Sequence, residues 1–201
     1  MTTFAELYAA TVEQTKRPEL QSITEAAIRT AVLRAHHVDF FSRDLKTGIL
    51  EYSVSSSAQF YDFASVSSQL ARLRTIKFIY EISETGLPVQ KLTFNDPSEM
   101  LCDDGCLKTG VYHLLGDTLR IYPVQATGRI EVYYYANPTI VGNTTLQSWI
   151  ADEYKDDLAR WAAGIVFARS GFNEMANKYT EDFIRPFKDT LIQSHMQDEV
   201  H

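Results

Sequence analysis

The sequence predicts an α+β fold: a four-helix bundle, made of two antiparallel helical hairpins, with an antiparallel β-rich insert between helices two and three. Apolar residues recur every three or four positions near both ends of the chain, which is the spacing of one helix face. In the middle they alternate with polar residues, as in half-buried strands. We therefore expect a discontinuous bundle domain, residues 1–48 and 144–201, around an insert of residues 49–143.

The first predicted helix covers residues 4–16. Thr3 and Glu6 form a capping box, in which each side chain satisfies an otherwise unpaired backbone donor at the helix start. Pro18 closes this helix. The few residues before the next helix predict an antiparallel hairpin.

The second predicted helix spans residues 22–45. Ser22 and Glu25 repeat the capping-box spacing. Gly48 offers the left-handed conformation that ends helices. One apolar stripe follows the helical period: Ile23, Ala27, Ala31, Arg34, Val38 and Phe41. This helix is expected to pack against the rest of the bundle.

The β-rich insert begins at Ile49, where the period changes to two. Its clearest strand carries four large apolar side chains on one face: Ile76, Phe78, Tyr80 and Ile82. Gly116 and Asp117 have the composition of a tight hairpin turn. Several short strands separated by turns predict an antiparallel meander.

The second hairpin returns to helical periodicity at Leu146. Its third helix has a regular apolar face: Ile150, Tyr154, Leu158, Trp161, Ile165 and Ala168. Gly171 ends that helix and Asn173 caps the fourth. Because Pro186 lacks an amide donor, helix four is expected to kink or end near Arg185.

Composition excludes several classes of protein. The 201 residues are 45% apolar and 22% charged, as in an ordinary globular protein, and the formal net charge is −7. A protein that grips nucleic acid needs clustered Lys and Arg, so the acidic total argues against that role. No apolar run has the length of a membrane span, and the N-terminus lacks the pattern of a signal peptide, which predicts a cytoplasmic protein or one assembled inside a cell.

Two candidate metal sites have simpler explanations. Adjacent helical residues such as His36 and His37 point about 100° apart, so they do not bind one ion together with Asp39. One histidine is expected in the core and the other in solvent. Cys102 and Cys106 form a single Cys-x-x-x-Cys pair, whereas structural zinc usually takes two such pairs. We predict no metal site.

The remaining candidates also favour structural roles. Tyr133, Tyr134 and Tyr135 could stack on bases, but basic residues are not interleaved with them beyond Arg129. Four carboxylates near a helix start are favourable without any function: Asp152, Glu153, Asp156 and Asp157. Since the sequence also has no glycine-rich phosphate loop and no nucleophile elbow, we expect no catalytic residue and no cofactor.

Three segments resemble the head-tail adaptor, or connector, proteins of tailed bacteriophages, which form the neck ring below the portal. They are AIRTAVLRAHHVDFFSRDL (27–45), VYYYANP (132–138) and SWIADEYKDDLARWAAGIVF (148–167). The resemblance covers nearly the whole chain as an order of elements.

The resemblance implies a structural virion protein without catalytic activity. It implies a dodecameric homo-oligomeric ring that docks on the portal protein, extends the DNA channel and meets tail nozzle or tail-fibre proteins. DNA would pass without sequence-specific binding, no membrane would be involved, and assembly would take place in the host cytoplasm before incorporation into the virion neck. An acidic channel wall fits this role because it repels phosphates.

The C-terminal segment is the predicted portal-docking element. Phe187, Leu191, Ile192 and Met196 keep a loose helical spacing beyond Pro186, in a segment that looks too polar for the bundle core. Such a segment either frays or becomes ordered on a partner. C-terminal extensions of the adaptors that the chain resembles often reach into the portal.

Two alternatives remain at this stage. A small-ligand-binding or regulatory helical protein would carry a pocket between bundle and sheet. A hydrolase would need a nucleophile and a base brought together from distant segments of the chain.

Overall fold

The computed structural model describes residues 1–53, 58–83, 85–96, 98 and 108–198. The chain divides into two compact units. One, the helical unit, contains residues 1–44 and 137–201, and the other, the sheet unit, contains residues 45–136.

The helical unit is built mainly from helices contributed by both ends of the chain. They are α1 (Phe4–Thr15), α2 (Gln21–His36), α3 (Trp149–Glu153), α4 (Lys155–Arg169), α5 (Asn173–Tyr179) and α6 (Arg185–Asp198). Short 3-10 turns lie at Pro18–Leu20 and Ser42–Asp44, and a π-helical turn at Thr180–Ile184 joins α5 to α6. The largest apolar cluster of this unit includes Ile28, Val32, Leu158 and Trp161.

The strands of the sheet unit alternate with turns along the chain. They are β1 (Leu45–Ser53), β2 (Gln59–Asp62), β3 (Leu73–Ile82), β4 (Pro88–Phe94), β5 (Val111–Leu115), β6 (Thr118–Tyr122) and β7 (Thr127–Ala136). Two further strands, β8 (Thr139–Val141) and β9 (Thr145–Gln147), pair as a hairpin in the helical unit.

The predicted fold class is wrong. In the described part of the chain, seven strands form one sheet in the order β1-β7-β3-β4-β5-β6-β2, which is a large element and not a small insert in a four-helix bundle. The sheet is nearly closed: the Tyr61 hydroxyl on edge strand β2 donates to the Glu51 carbonyl oxygen on edge strand β1 at 2.8 Å. Its interior contains Ile79, Leu119 and Ile130.

The predicted antiparallel meander is also wrong, because β4 and β5 pair in parallel and β7 lies between β1 and β3. Strands separated by some 80 residues therefore pair directly, in the register Leu45↔Tyr135 to Ser53↔Thr127. The predicted tight turn is confirmed, since Gly116 has a φ of 55° between the paired strands β5 and β6. The turn could be predicted from sequence because it depends on adjacent residues, whereas the strand order depends on residues distant along the chain.

The second helix is shorter than predicted. It ends at His36, and residues 37–44, which include the 3-10 turn Ser42–Asp44, lead into β1 at Leu45. Gly48 lies inside this strand and not at a helix end. A Cβ there would lie 2.4 Å from the Gln69 carbonyl oxygen, so a close backbone approach explains the glycine.

Helix starts match the prediction at α1 and differ at α2 and at α5, where Phe172 and not Asn173 is the cap residue. The capping box of Thr3 and Glu6 is present at α1. At α2 the 3-10 turn Pro18–Leu20 leads directly into the helix, so Ser22 already lies inside it. Glu25 accepts a hydrogen bond from the Gln21 side chain at 2.8 Å instead.

Both closing helices are interrupted, the third at a position that the sequence did not predict and the fourth next to Arg185, where the sequence predicted a kink or an end. The third breaks at Tyr154, whose φ of −127° is not helical. The fourth widens into the π turn and then continues through Pro186 to Asp198, so Arg185 does not end it. The π turn lies just before the proline, where the regular hydrogen-bond ladder would otherwise be broken.

Candidate functional site

A buried polar cluster links three parts of the helical unit: the end of α2, the 3-10 turn and the start of α3. The His36 Nδ1 atom lies 2.9 and 2.8 Å from the two carboxylate oxygens of Asp44, and its Nε2 atom lies 2.8 Å from the Ser148 hydroxyl. The Trp149 indole Nε1 donates to Asp44 at 3.0 Å. We call these four residues the His36 cluster.

The His36 cluster has the carboxylate–imidazole–hydroxyl order of a serine hydrolase triad. Its burial argues against that chemistry, since His36, Asp44 and Ser148 are only 2%, 5% and 6% exposed. The Ser148 oxygen also accepts the Ala151 amide at 3.1 Å, as the N-cap of α3. A nucleophile needs access to a substrate carbonyl and donors for the developing oxyanion. The cluster instead ties the three segments together.

The two adjacent histidines separate as the sequence predicted. His36 is buried, and His37 is exposed with its Nε2 atom 2.8 Å from the Asn137 side-chain oxygen. Sequence reasoning missed Asp44 and Ser148 as partners of His36. Ser148 could have been recognised as an N-cap from its place before an apolar helix, but its distance to His36 depends on the tertiary fold.

The other predicted candidates are not brought together into a site. Cys102 and Cys106 lie outside the described residues. The carboxylates near the start of α3 and α4 have separate partners: Asp152 accepts the Thr2 amide, Glu153 pairs with Arg43, and Asp157 pairs with Arg160 at 3.0 Å. Within the described ranges no group of three or more His, Cys, Asp or Glu side chains has the arrangement of a metal site.

The tyrosine run on β7 packs on both faces of the sheet. Tyr134 is buried in the sheet core, and Tyr133 contacts Phe78 and Tyr80 on the opposite face at ring distances of 4.5 and 6.0 Å. Cations reach this region from neighbouring strands, since the Lys91 ammonium lies 5.3 Å from the Phe78 ring centroid. The sequence did not show these cations beside the tyrosines because they are distant along the chain.

The predicted docking residues divide into two pairs. Phe187 and Leu191 are buried in the helical core, so the expectation that this segment lies outside the core is wrong for them. Ile192 is half-buried and Met196 is 61% exposed. Two of the four apolar residues therefore complete the helical core. Of the four, only Ile192 and Met196 are accessible on the surface.

A groove of about 830 Å³ lies beside Ile192 in the helical unit, between α2, α4 and the α5–α6 segment. Its apolar surface includes Trp161, Ile165 and Ile184, and its rim includes Arg34 and Lys188. We call it the α4 groove.

Comparison with known families now adds to this geometry. A family model described as SU10 adaptor protein matches residues 2–197. The chain belongs to the SU10 adaptor protein family, a family of phage head-tail adaptors. The sequence-based resemblance is thereby confirmed. No curated protein sequence matches the chain significantly.

A buried carboxylate in the sheet unit of this adaptor-family chain fixes a loop. Glu81 is fully buried on β3; it accepts the Tyr52 hydroxyl at 2.6 Å and the Val124 and Gln125 amides at 3.2 and 2.9 Å. Burial, and then the hydrogen bond to Glu81, raise the pKa of Tyr52. Gly128 leaves room for this ring, since a Cβ there would lie 2.8 Å from the Tyr52 hydroxyl oxygen. The network holds the connection between β6 and β7.

Among the residues that the structure describes, no helix is both long and apolar enough to cross a bilayer.

Proposed function

We propose that this chain is a structural protein of the virion neck, which forms a ring below the portal, carries the DNA channel onward and connects the capsid to the tail. The observation that carries the proposal is the family match over residues 2–197, nearly the whole chain. Since the match includes both compact units, the adaptor role would be the role of the whole chain and not of one module.

The negative net charge of the chain supports passage of DNA through the ring without binding to it. The net charge of −7 is the opposite of what phosphate binding requires. A ring of such subunits would repel DNA from its wall, so that DNA could slide during ejection.

The burial of the His36 cluster supports a structural role and not a catalytic one. The one carboxylate–imidazole–hydroxyl arrangement that we identified in the described residues is inside the core, and its serine is occupied as a helix cap. The contribution of these residues to the stability of the fold is therefore enough to explain their arrangement.

The proposed partners are the portal protein above the ring and tail nozzle or tail-fibre proteins below it, with twelve copies of this chain in the ring. Assembly would take place in the host cytoplasm. We propose that α6 docks on the portal through its accessible residues, Ile192 and Met196. Phe187 and Leu191 hold the helix in the core.

Gradient sedimentation with purified portal rings of the same phage tests the proposal. The chain should migrate with the rings and not at its free position. Met196→Glu changes an exposed side chain and leaves Phe187, Leu191 and the buried His195 in place, so it should weaken attachment without lowering the melting temperature of the chain. Free migration of the intact chain in the presence of portal rings would contradict the proposal.

A further inference from the structure

The α4 groove combines an apolar floor with a cationic rim, in a protein that is acidic overall. Its floor is made by large side chains that are nine-tenths or more buried, among them Trp161, Ile165 and Ile184. A volume of about 830 Å³ exceeds what one bound water or ion fills and lies in the range of sites that hold organic ligands or peptide side chains. The groove is therefore large enough to hold several side chains of a partner.

Small residues line part of the groove. At Gly164 an added Cβ would lie 3.2 Å from both the Ile184 Cδ1 and the Tyr179 Cβ atoms, so the glycine allows the π turn to approach α4 closely. Ala168 and Ala176 continue the small surface along the groove. The wider π turn contributes Ile184 to the floor, and π turns inside helices are often found at functional sites.

Charge distinguishes the rim from the rest of the chain. Arg34 and Lys188 are exposed, and neither forms an ion pair with any described residue. The Lys188 ammonium lies 5.3 Å from the centroid of the Trp161 ring, so it is held over the floor. The rim also carries the carboxylate of Asp189. With His37 neutral, the charges of Arg34, Lys188 and Asp189 give the groove a net charge of +1, whereas the whole chain has a net charge of −7.

We infer that the α4 groove binds an acidic segment of a partner protein, in which apolar anchors enter the floor and carboxylates meet Arg34 and Lys188. An apolar groove that receives spaced anchors from a peptide is a common recognition mode. A carboxylate beside these two cations would be favoured, whereas one net positive charge is too little to bind the closely spaced phosphates of nucleic acid. The inference rests on the proposed function only for the location of the partner in the virion neck.

Lys188→Glu tests the inference, with Lys178→Glu as its matched control. Lys178 is exposed on the neighbouring helix α5 and does not line the groove, so the two substitutions change the net charge equally. The probe is a synthetic amphipathic helical peptide with leucine anchors and glutamates, compared with the same peptide carrying lysine in place of glutamate. Binding to the full chain is measured by titration calorimetry at low salt.

The wild-type chain should bind the acidic peptide and bind the basic peptide at least about tenfold more weakly. Lys188→Glu should weaken binding of the acidic peptide by about tenfold, with little change for Lys178→Glu. Equal binding of the two peptides, or an equal effect of the two substitutions, would overturn the inference. Loss of self-association in Lys188→Glu without any peptide binding would also overturn it, because the occupant would then be a second copy of the chain.

Portal sedimentation separates this inference from the proposed function. If wild-type chain and Lys188→Glu both migrate with portal rings and the peptides do not bind, the groove inference fails and the neck role stands. If the wild-type chain does not migrate with portal rings, the neck role fails, and the peptide titration alone then supports or overturns an acidic occupant of the groove.

Discussion

Individual buried polar residues in this chain are held by specific partners. Glu81 has no solvent contact and takes its hydrogen bonds from one tyrosine and two backbone amides. Tyr133 makes a similar hydroxyl-to-carboxylate bond to Glu131 at 3.0 Å, but both of those residues are half-buried. The two tyrosines therefore form the same type of bond in two different environments.

Tyr52→Phe should lower the free energy of unfolding by about 1–3 kcal/mol, because it removes one donor from a buried carboxylate. Tyr133→Phe, the matched control, should cost less than about 1 kcal/mol, because solvent can replace the lost bond. Urea unfolding of both variants measures the difference. Equal losses would show that Glu81 does not depend on Tyr52.

His113 makes stability sensitive to acid. It is buried on β5, and its two ring nitrogens have no hydrogen-bond partner among the described residues. Burial and then the positive charge of Arg120 lower its pKa, while the carboxylate of Asp96 raises it by a smaller amount. The unfolded chain thus binds this proton at a higher pH than the folded chain does.

Stability should therefore fall as the pH drops through and below about 6.5, the ordinary pKa of histidine. His113→Phe keeps an aromatic ring and removes this contribution. The free energy of unfolding, measured from pH 8 to pH 5, should decline less steeply for His113→Phe than for the wild type. Parallel pH profiles would contradict the assignment, provided that both proteins unfold in a single transition.

At the scale of elements, the His36 cluster is the main polar connection inside the helical unit. Asp44 accepts hydrogen bonds from the His36 ring and the Trp149 indole. The Ser148 hydroxyl is hydrogen-bonded to His36 and also caps the start of α3. Removing either residue therefore affects more than one element.

Ser148→Ala should cost about 1–2 kcal/mol through the lost cap. Asp44→Ala should cost about 3 kcal/mol or more, because it leaves buried donors without an acceptor. Asp157→Ala removes an exposed ion pair and should cost under about 1 kcal/mol. Chemical unfolding of the three variants measures whether the losses in the free energy of unfolding follow this order. A loss for Asp44→Ala as small as that for Asp157→Ala would show that the cluster contributes little.

Local features of these elements were predictable from sequence, and long-range ones were not. The capping box at Thr3 and the turn at Gly116 depend on neighbouring residues alone. The existence of β1 depends on a strand that begins some 80 residues later, because β1 forms through its pairing with β7. The partners of His36, Asp44 and Ser148, come from two other segments of the chain, so a spacing rule could not identify them.

The whole molecule consists of two units whose connection points lie close together in the sheet unit. Leu45 pairs with Tyr135, so the two ends of residues 45–136 are neighbours across β1 and β7. The hairpin β8–β9 falls within the helical unit, although the sequence had assigned most of it to the insert. A short linker can therefore span the position of the sheet unit.

Replacing residues 45–136 with a short Gly/Ser linker should leave a helical unit that melts cooperatively, because α1, α2, α4 and α6 share one apolar cluster. Circular dichroism in the far ultraviolet and a thermal melt check this expectation. Loss of helical signal in the shortened chain would show that the helical unit needs the sheet unit in order to fold.

Electron microscopy of portal rings mixed with an excess of the purified chain tests whether copies of this adaptor-family chain form the proposed ring on the portal. We expect an added ring of twelve copies on the face from which DNA leaves, with a continuous central channel. Bare portal rings under conditions in which the chain is folded, or single copies bound without a ring, would contradict the proposal.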